Sequence, residues 1–208
     1  VHGGINLKGL IIKDLYNLSK QYKIILILVV FYIVISFSNE DSSIFGGVVT
    51  ILMVMQLITA LAYDEKSKWD RYALAMPVSR SDLVLSKYLL GGILLAIAFA
   101  ANFIFCMASG SGPVETLVIS VTMTGVGSFF MFLTLPFLFK FGVEKGRYIT
   151  MLIFFIPTGL LVIASRMGLQ LGDEDFTSVF PLIGILVLIL AGIISVSASL
   201  AIYKSKEV

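Results

Sequence analysis

Six apolar runs, near 23–38, 44–63, 86–108, 114–139, 148–167 and 179–203, alternate along this chain with short polar junctions. Each meets or approaches the about 20 residues that a helix needs to cross a bilayer core. The first, KIILILVVFYIVISFS, has 16 residues and borrows Gln21 and Tyr22 near the interface. The junctions leave no room for a soluble domain, so the pattern predicts one all-α membrane domain over residues 1–208. Ahead of the first run, Leu7, Leu10, Ile11, Leu15, Leu18 and Tyr22 recur at helical spacing, with Lys13, Asp14, Asn17, Lys20 and Gln21 largely off that stripe. Residues 1–22 therefore read as a helix lying in the membrane interface, or as an extension of the first span. The leader VHGGIN, with the single His2, lacks an initiator Met and reads as foreign to the fold.

Composition agrees with the pattern. The chain is 58% hydrophobic and 13% charged, against about 25% charged in soluble domains. The placement of charge carries more than its net value of +2. With the N-terminus inside, the segments 1–22, 64–86, 140–147 and 204–208, with boundary residues Lys23 and Lys87, hold all of the 15 Lys and Arg except Arg166. The outside loops hold NEDSS (39–43) and GDED (172–175). That asymmetry predicts six spans with both termini cytoplasmic. No small-x-small cleavage site follows the first run, which is thus a span and not a removable signal.

The spans exclude much chemistry. Their centres carry no charged residue, whereas proton- or ion-driven transport normally uses an intramembrane carboxylate. Among the in-span polar residues, Gln56, Thr59, Asn102 and Thr158 are candidates for a pathway or for helix packing, the latter being the commoner use. GVEKGR (142–147) lacks the spacing and the Lys-Ser/Thr ending of a phosphate loop. ASGSGP (108–113) has no histidine partner for a serine nucleophile, and no span carries paired aspartates. No residues suggest a catalytic, metal or cofactor site in this chain. Cys106, the single cysteine, reads as a buried small hydrophobe. Gly92, Ala96 and Ala100, and Ala191, Ser195 and Ser199, sit at intervals that allow close helix approach. Pro136 and Pro157 suggest kinks.

One interruption stands apart: YDEKSKWDRYALAMPVSR, residues 63–80. Glu65, Trp69, Tyr72 and Met76 share a helical face, and Lys66, Trp69, Asp70 and Ala73 share an overlapping one. A helix from Asp64 to Ala75 is expected, ended by Pro77, with Ser79 or Ser81 capping the next. Trp, Tyr and Arg on a short exposed helix suit protein docking. They suit headgroup anchoring equally.

A resemblance separates these. The stretch YDEKSKWDRYALAMPVSRSDLVLSKYLLG (63–91) resembles the cytoplasmic segment of small bacterial ABC-2-type permeases, the membrane subunits of ABC transporters whose ATPase is a separate chain. Lys8–Gln21 matches the family's KGLIxKDLYxLKKQ-like start. Asp64 and Glu65 supply its acidic position, Met76-Pro77-Val78-Ser79-Arg80 its proline element, and Ser86-Lys87-Tyr88 its opening of span three. The resemblance implies a dimer of permeases, alike or paired with a sister permease, carrying two ATPases that bind ATP and magnesium. It implies a coupling helix at 64–76, with Trp69 and Tyr72 as anchors, Asp64, Glu65, Lys66, Asp70 and Arg71 as polar contacts, and Pro77 and Arg80 fixing the turn. It also implies a connecting helix bearing Lys13, Asp14, Tyr16 and Lys20 against the ATPase. On that reading Trp69→Ala uncouples ATP hydrolysis from transport.

A path with no fixed charge at depth suits amphipathic or lipophilic cargo. Similar permeases export membrane-active peptides such as phenol-soluble modulins and lantibiotics, which makes peptide export from a bacterial plasma membrane, and resistance to such peptides, the first expectation. No nucleic-acid partner is expected; lipid is. The alternative is a non-transporting scaffold or immunity protein that docks a partner through 63–80.

Overall fold

In a computed structural model, residues 3–39, 42–75, 78–166 and 174–205 are described. They form helices without strands: α1 (Gly3–Ser19), α2 (Tyr22–Asn39), α3 (Ser42–Lys66), α4 (Trp69–Leu74), α5 (Arg80–Ala108), α6 (Pro113–Arg166) and α7 (Glu174–Ser205). The acidic segments at 39–43 and 172–175 lie partly outside the described residues. So does Pro77.

The N-terminal helix does not extend the first span. The axes of α1 and α2 differ by 67° across the break at Lys20 and Gln21. Gln21 Nε2 donates to Tyr63 Oη at 2.8 Å, pinning this corner to the last turns of α3. Beyond the corner α2 is apolar on every side and largely exposed, with Ile24, Ile27, Phe31 and Val34 all facing outward. In water that would be untenable, but lipid accepts such a helix.

Helices α3, α5 and α6 make the core, with α1 packed on α5 and α7 on α6. Leu57, Val84, Leu90 and Leu135 are fully buried where they meet. Asn102 faces Gly46, where a Cβ would lie 3.1 Å from its Oδ1, so glycine permits this approach of α3 and α5. Cys106 is buried, as a small hydrophobe should be.

The 54 residues of α6 would run about 81 Å as one straight rod, far more than the about 30 Å hydrocarbon core. It is not straight. Gly142 has φ 76° and ψ 172°, a conformation essentially restricted to glycine. Past it, a Cβ on Gly146 would lie 3.4 Å from Leu138 Cα, although eight residues of continuous helix would separate them by about 12 Å. The chain doubles back here. The polar junction expected over 140–147 is therefore a helical turn broken at Gly142. The departure from helical backbone falls at that glycine, not at Pro136 or Pro157.

Residues 63–80 also differ from expectation. Instead of one helix from Asp64 to Ala75, α3 continues to Lys66, Lys68 turns left-handed (φ 52°), and α4 follows with six residues. Both carboxylates at the end of α3 are held by other helices, so the chain needs a corner to bring Trp69 back against α1. The capping expectation holds. Ser79 Oγ accepts from Asp82 N at 3.1 Å while Ser79 N donates to Asp82 Oδ2 at 3.2 Å, a reciprocal cap for α5 of about 0.5–2 kcal/mol.

Candidate functional site

The end of the bundle that carries the 63–80 interruption, the polar end, is organised around four charges. Leu10 and Leu18 are buried on α1, and Asp14, midway between them at helical spacing, is only 1% exposed. Its partners come from far away in the chain. Lys87, near the start of α5, places Nζ 2.6 Å from Asp14 Oδ2 and 2.5 Å from Asp64 Oδ2. Lys13 places Nζ 2.5 Å from Asp64 Oδ1 and 3.1 Å from Asp14 Oδ1. The result is a closed ring of alternating sign: each lysine bridges both carboxylates, and the net charge is zero.

Such a ring is a poor source of net stability, because desolvating four charges offsets most of their attraction. Its value lies in register. It ties α1, α3 and α5 at one point, and any sliding of one helix leaves a buried charge exposed to an apolar neighbour. Lys13 extends the arrangement, with its Nζ 4.3 Å from the centroid of the Trp69 ring. A cation over an indole face is attractive by about 0.5–2 kcal/mol, and this contact seats α4 on α1.

The sequence-derived candidates distribute unevenly. Asp64, expected as a polar contact for a partner, is instead 8% exposed inside the ring. Asp14, expected off the apolar stripe of α1, lies in its buried face. Trp69, expected as an outward anchor, is half-buried and turned toward Lys13. Glu65 Oε2 accepts from Val143 N at the α6 turn. Arg80 Nη1 donates to Lys204 O at 2.8 Å and to Tyr203 O at 3.4 Å, binding the carbonyl end of α7, where a cation is favoured. Lys66 and Lys20 are exposed. Tyr16 and Tyr72 are 69% and 62% exposed. The side chains of Asp70, Arg71 and Thr158 lie outside the described residues.

Sequence reasoning marks Lys87 as a boundary charge and as part of the Ser86-Lys87-Tyr88 element; the signal for its burial is its place beside Tyr88, where α5 turns apolar. The spacing of Asp14 from Leu10 and Leu18 is the other available signal.

The in-span candidates do not converge. Asn102 Nδ2 donates to Gly46 O at 3.3 Å, and Gln56 lies ten residues further along α3, about 15 Å away. Thr59 donates to Met55 O within its own helix. A polar knot forms elsewhere: Ser195 Oγ donates to Phe132 O at 2.6 Å, and Tyr88 Oη lies 2.6 Å from Ser195 Oγ and 2.8 Å from Ser199 Oγ. Since the Ser195 proton goes to the carbonyl, Tyr88 donates to Ser195 and accepts from Ser199. Beside the knot, Gly92, Ala96, Phe99, Thr124 and Gly192 help line an open cleft of about 810 Å³ between α5, α6 and α7. Gly92 and Ala96, expected at a close helix contact, thus border a cleft.

The family described as ABC-2 family transporter protein matches residues 9–204, from the start of the α1 contact face to the end of α7. The chain belongs to that family. No curated protein and no solved structure matches it significantly. As an ABC-2 permease it is a multi-pass plasma-membrane protein, a transport component whose family works with ABC ATPase subunits. The charge ring sits where α1 and the end of α3 meet the start of α5.

Proposed function

We propose that this chain is the permease subunit of an ATP-driven exporter of amphipathic or hydrophobic cargo, membrane-active peptides first among them. Two permeases, identical or sister chains, would carry two ATPases that hold ATP and magnesium, with the polar end of the bundle in the cytoplasm. Helices α2, α3, α5, the two halves of α6, and α7 would be the six spans, leaving both termini inside.

The observation that carries this reading is the way the ring ties α1 to the end of α3, with Trp69 of α4 seated on Lys13, while the outer faces of α1 and α4 stay open. Ile12 and Tyr16 on α1 and Tyr72 on α4 are all more than half exposed. Asp14 and Asp64 are withdrawn into the ring, whereas Lys8, Lys20, Lys66 and Lys68 stay at the surface. An ATPase groove with an apolar floor and an acidic rim fits that face. Movement of the ATPase pair would act on α1 and α4 together, and the ring would pass it to α3 and α5. The cleft between α5, α6 and α7 supports an amphipathic cargo, since its walls are mainly apolar with hydroxyls at Tyr88, Thr124 and Ser128.

The test is co-purification of an ATP-binding subunit with the native chain and with Tyr16→Ala/Tyr72→Ala, followed by stimulation of its hydrolysis by candidate peptides in vesicles. Capture by the native chain, loss in the variant and peptide stimulation are expected. A native chain that captures no ATPase would favour the scaffold reading.

A further inference from the structure

Asp64 and Glu65 are neighbours at the end of α3, yet their carboxylates leave it in different directions. Asp64 closes the ring with α1 and α5. Glu65 reaches the α6 turn, where Oε2 accepts from Val143 N at 2.5 Å. Val143 is the first residue past Gly142, and the first N–H groups of a helix have no acceptor within it. A carboxylate at that point meets an unsatisfied donor and the positive end of a helix together. The fit is close: a Cβ on Gly142 would lie 2.8 Å from Glu65 Oε1.

We infer that Glu65 is a positioning residue that yokes the α6 turn to the end of α3, so that both halves of α6 follow the charge ring; the consequence for transport rests on the docking reading above. The turn has reason to need a yoke. Its glycine has few conformational restraints of its own. A cavity of about 110 Å³ borders it, lined in part by Asp64, Trp69, Lys87, Val143 and Tyr203. Val143 is buried against Leu138, Phe139 and Tyr203, so apolar packing meets the turn on one side and the Glu65 carboxylate spans the edge of the cavity on the other. Through adjacent carboxylates, one helix end thus commands α1 and α5 on one side and α6 on the other.

The decisive experiment is hydrogen exchange on the purified full-length permease in lipid nanodiscs, resolving the 141–147 segment in the native chain, Glu65→Gln and Glu65→Ala. A glutamine amide oxygen still accepts from Val143 N but lacks the charge, so Glu65→Gln should exchange only a few-fold faster than native. Glu65→Ala should exchange about tenfold faster at Val143, the effect of losing one hydrogen bond to a charged group, with 83–95 in α5 unchanged as the sign that the fold survives. Spin labels at Lys66→Cys and Lys145→Cys, in a Cys106→Ser background, should give one narrow distance in the otherwise native chain and in Glu65→Gln, and a broadened one in Glu65→Ala. Unchanged exchange in Glu65→Ala, or equal acceleration in Glu65→Gln, overturns the proposal. Neither measurement needs an ATPase, so failure of the docking reading would show separately, as lost co-purification with the yoke intact.

Discussion

The two ends of the bundle handle their polar groups in opposite ways. At the polar end the bonds run between helices: the ring joins α1, α3 and α5, Gln21 reaches Tyr63, Glu65 reaches Val143, and Arg80 reaches the last carbonyls of α7. Away from it, hydroxyls bond within their own helix, as Thr50 does to Gly46 O, Ser128 to Thr124 O and Thr134 to Phe130 O, and the bond from Asn102 to Gly46 O ties α5 to α3 but reaches neither α6 nor α7. Others, on Thr116, Ser120 and Thr124, have no partner among the described residues. A hydroxyl bonded to its own backbone resists nothing when its helix slides. One end is therefore latched as a unit, and the other can rearrange around the α5–α6–α7 cleft. That is the division of labour a lever needs.

The most severe way to break the contrast is to open the ring. Lys87→Ala should leave Asp14 and Asp64 sharing Lys13 alone and cost about 3–5 kcal/mol, read as a lower unfolding midpoint in detergent. Lys87→Met combined with Asp14→Leu removes one charge of each sign and should return stability to within about 1 kcal/mol of native. The α1–α5 tie would still be gone, so an assembled complex carrying this pair should hydrolyse ATP with little transport. Full transport by that double variant would mean that the ring is only a structural staple.

The outer face of the latched end gives the next effect. Tyr16→Ala and Tyr72→Ala touch exposed side chains and should each change stability by less than about 0.5 kcal/mol. If they are docking anchors, each should weaken ATPase affinity by about 2 kcal/mol, roughly thirtyfold, as measured by titration in nanodiscs. Trp69→Ala, by contrast, should act through Lys13 and the seat of α4, and lower thermal stability along with coupling. Equal behaviour of Trp69→Ala and Tyr72→Ala would erase the distinction between inner and outer aromatic.

Gly142→Ala tests the link between the two ends. The backbone there is essentially closed to alanine, at about 1–3 kcal/mol, and the added methyl would press on Glu65 Oε1. Loss of thermal stability together with faster exchange at Val143 is expected. A variant as stable as the native chain would mean that the turn adopts another shape.

What was legible in the sequence follows the same divide. The membrane-helical character could be read because lipid demands an unbroken apolar length, a local property. The corner before α2 and the Ser79 cap were legible for the same reason, since each depends on residues within a few positions. The ring was not. Asp14 and Lys87 are 73 residues apart, and either alone reads as a solvated charge; only the packing of α1 on α5 makes them a buried pair. Likewise the junction over 140–147 was legible as a break between apolar runs, while the residue that makes the turn, Gly142, was not, because its special backbone is permitted by its sequence but not announced by it. The break at Lys68 arises because Asp64 and Glu65 are claimed by distant partners, which no helical wheel can show.

The mildest test lies where the two regimes meet. The Tyr88 knot is the cross-helix polar contact nearest the cleft: it joins α5 to α7 through Ser195 and Ser199, and reaches α6 through the Phe132 carbonyl. Tyr88→Phe keeps the ring and its stacking on Phe132, at 6.4 Å between centroids, and deletes only the hydroxyl. Polar contacts between membrane helices average about 0.6 kcal/mol, and Ser195 keeps its bond to Phe132 O, so the loss of stability should be of that size. If the cleft is the part that rearranges, loosening its polar edge should change cargo stimulation of ATP hydrolysis more than it changes stability. A Tyr88→Phe permease with native peptide stimulation would place the knot in the latched end and move the boundary of the mobile region further along α5.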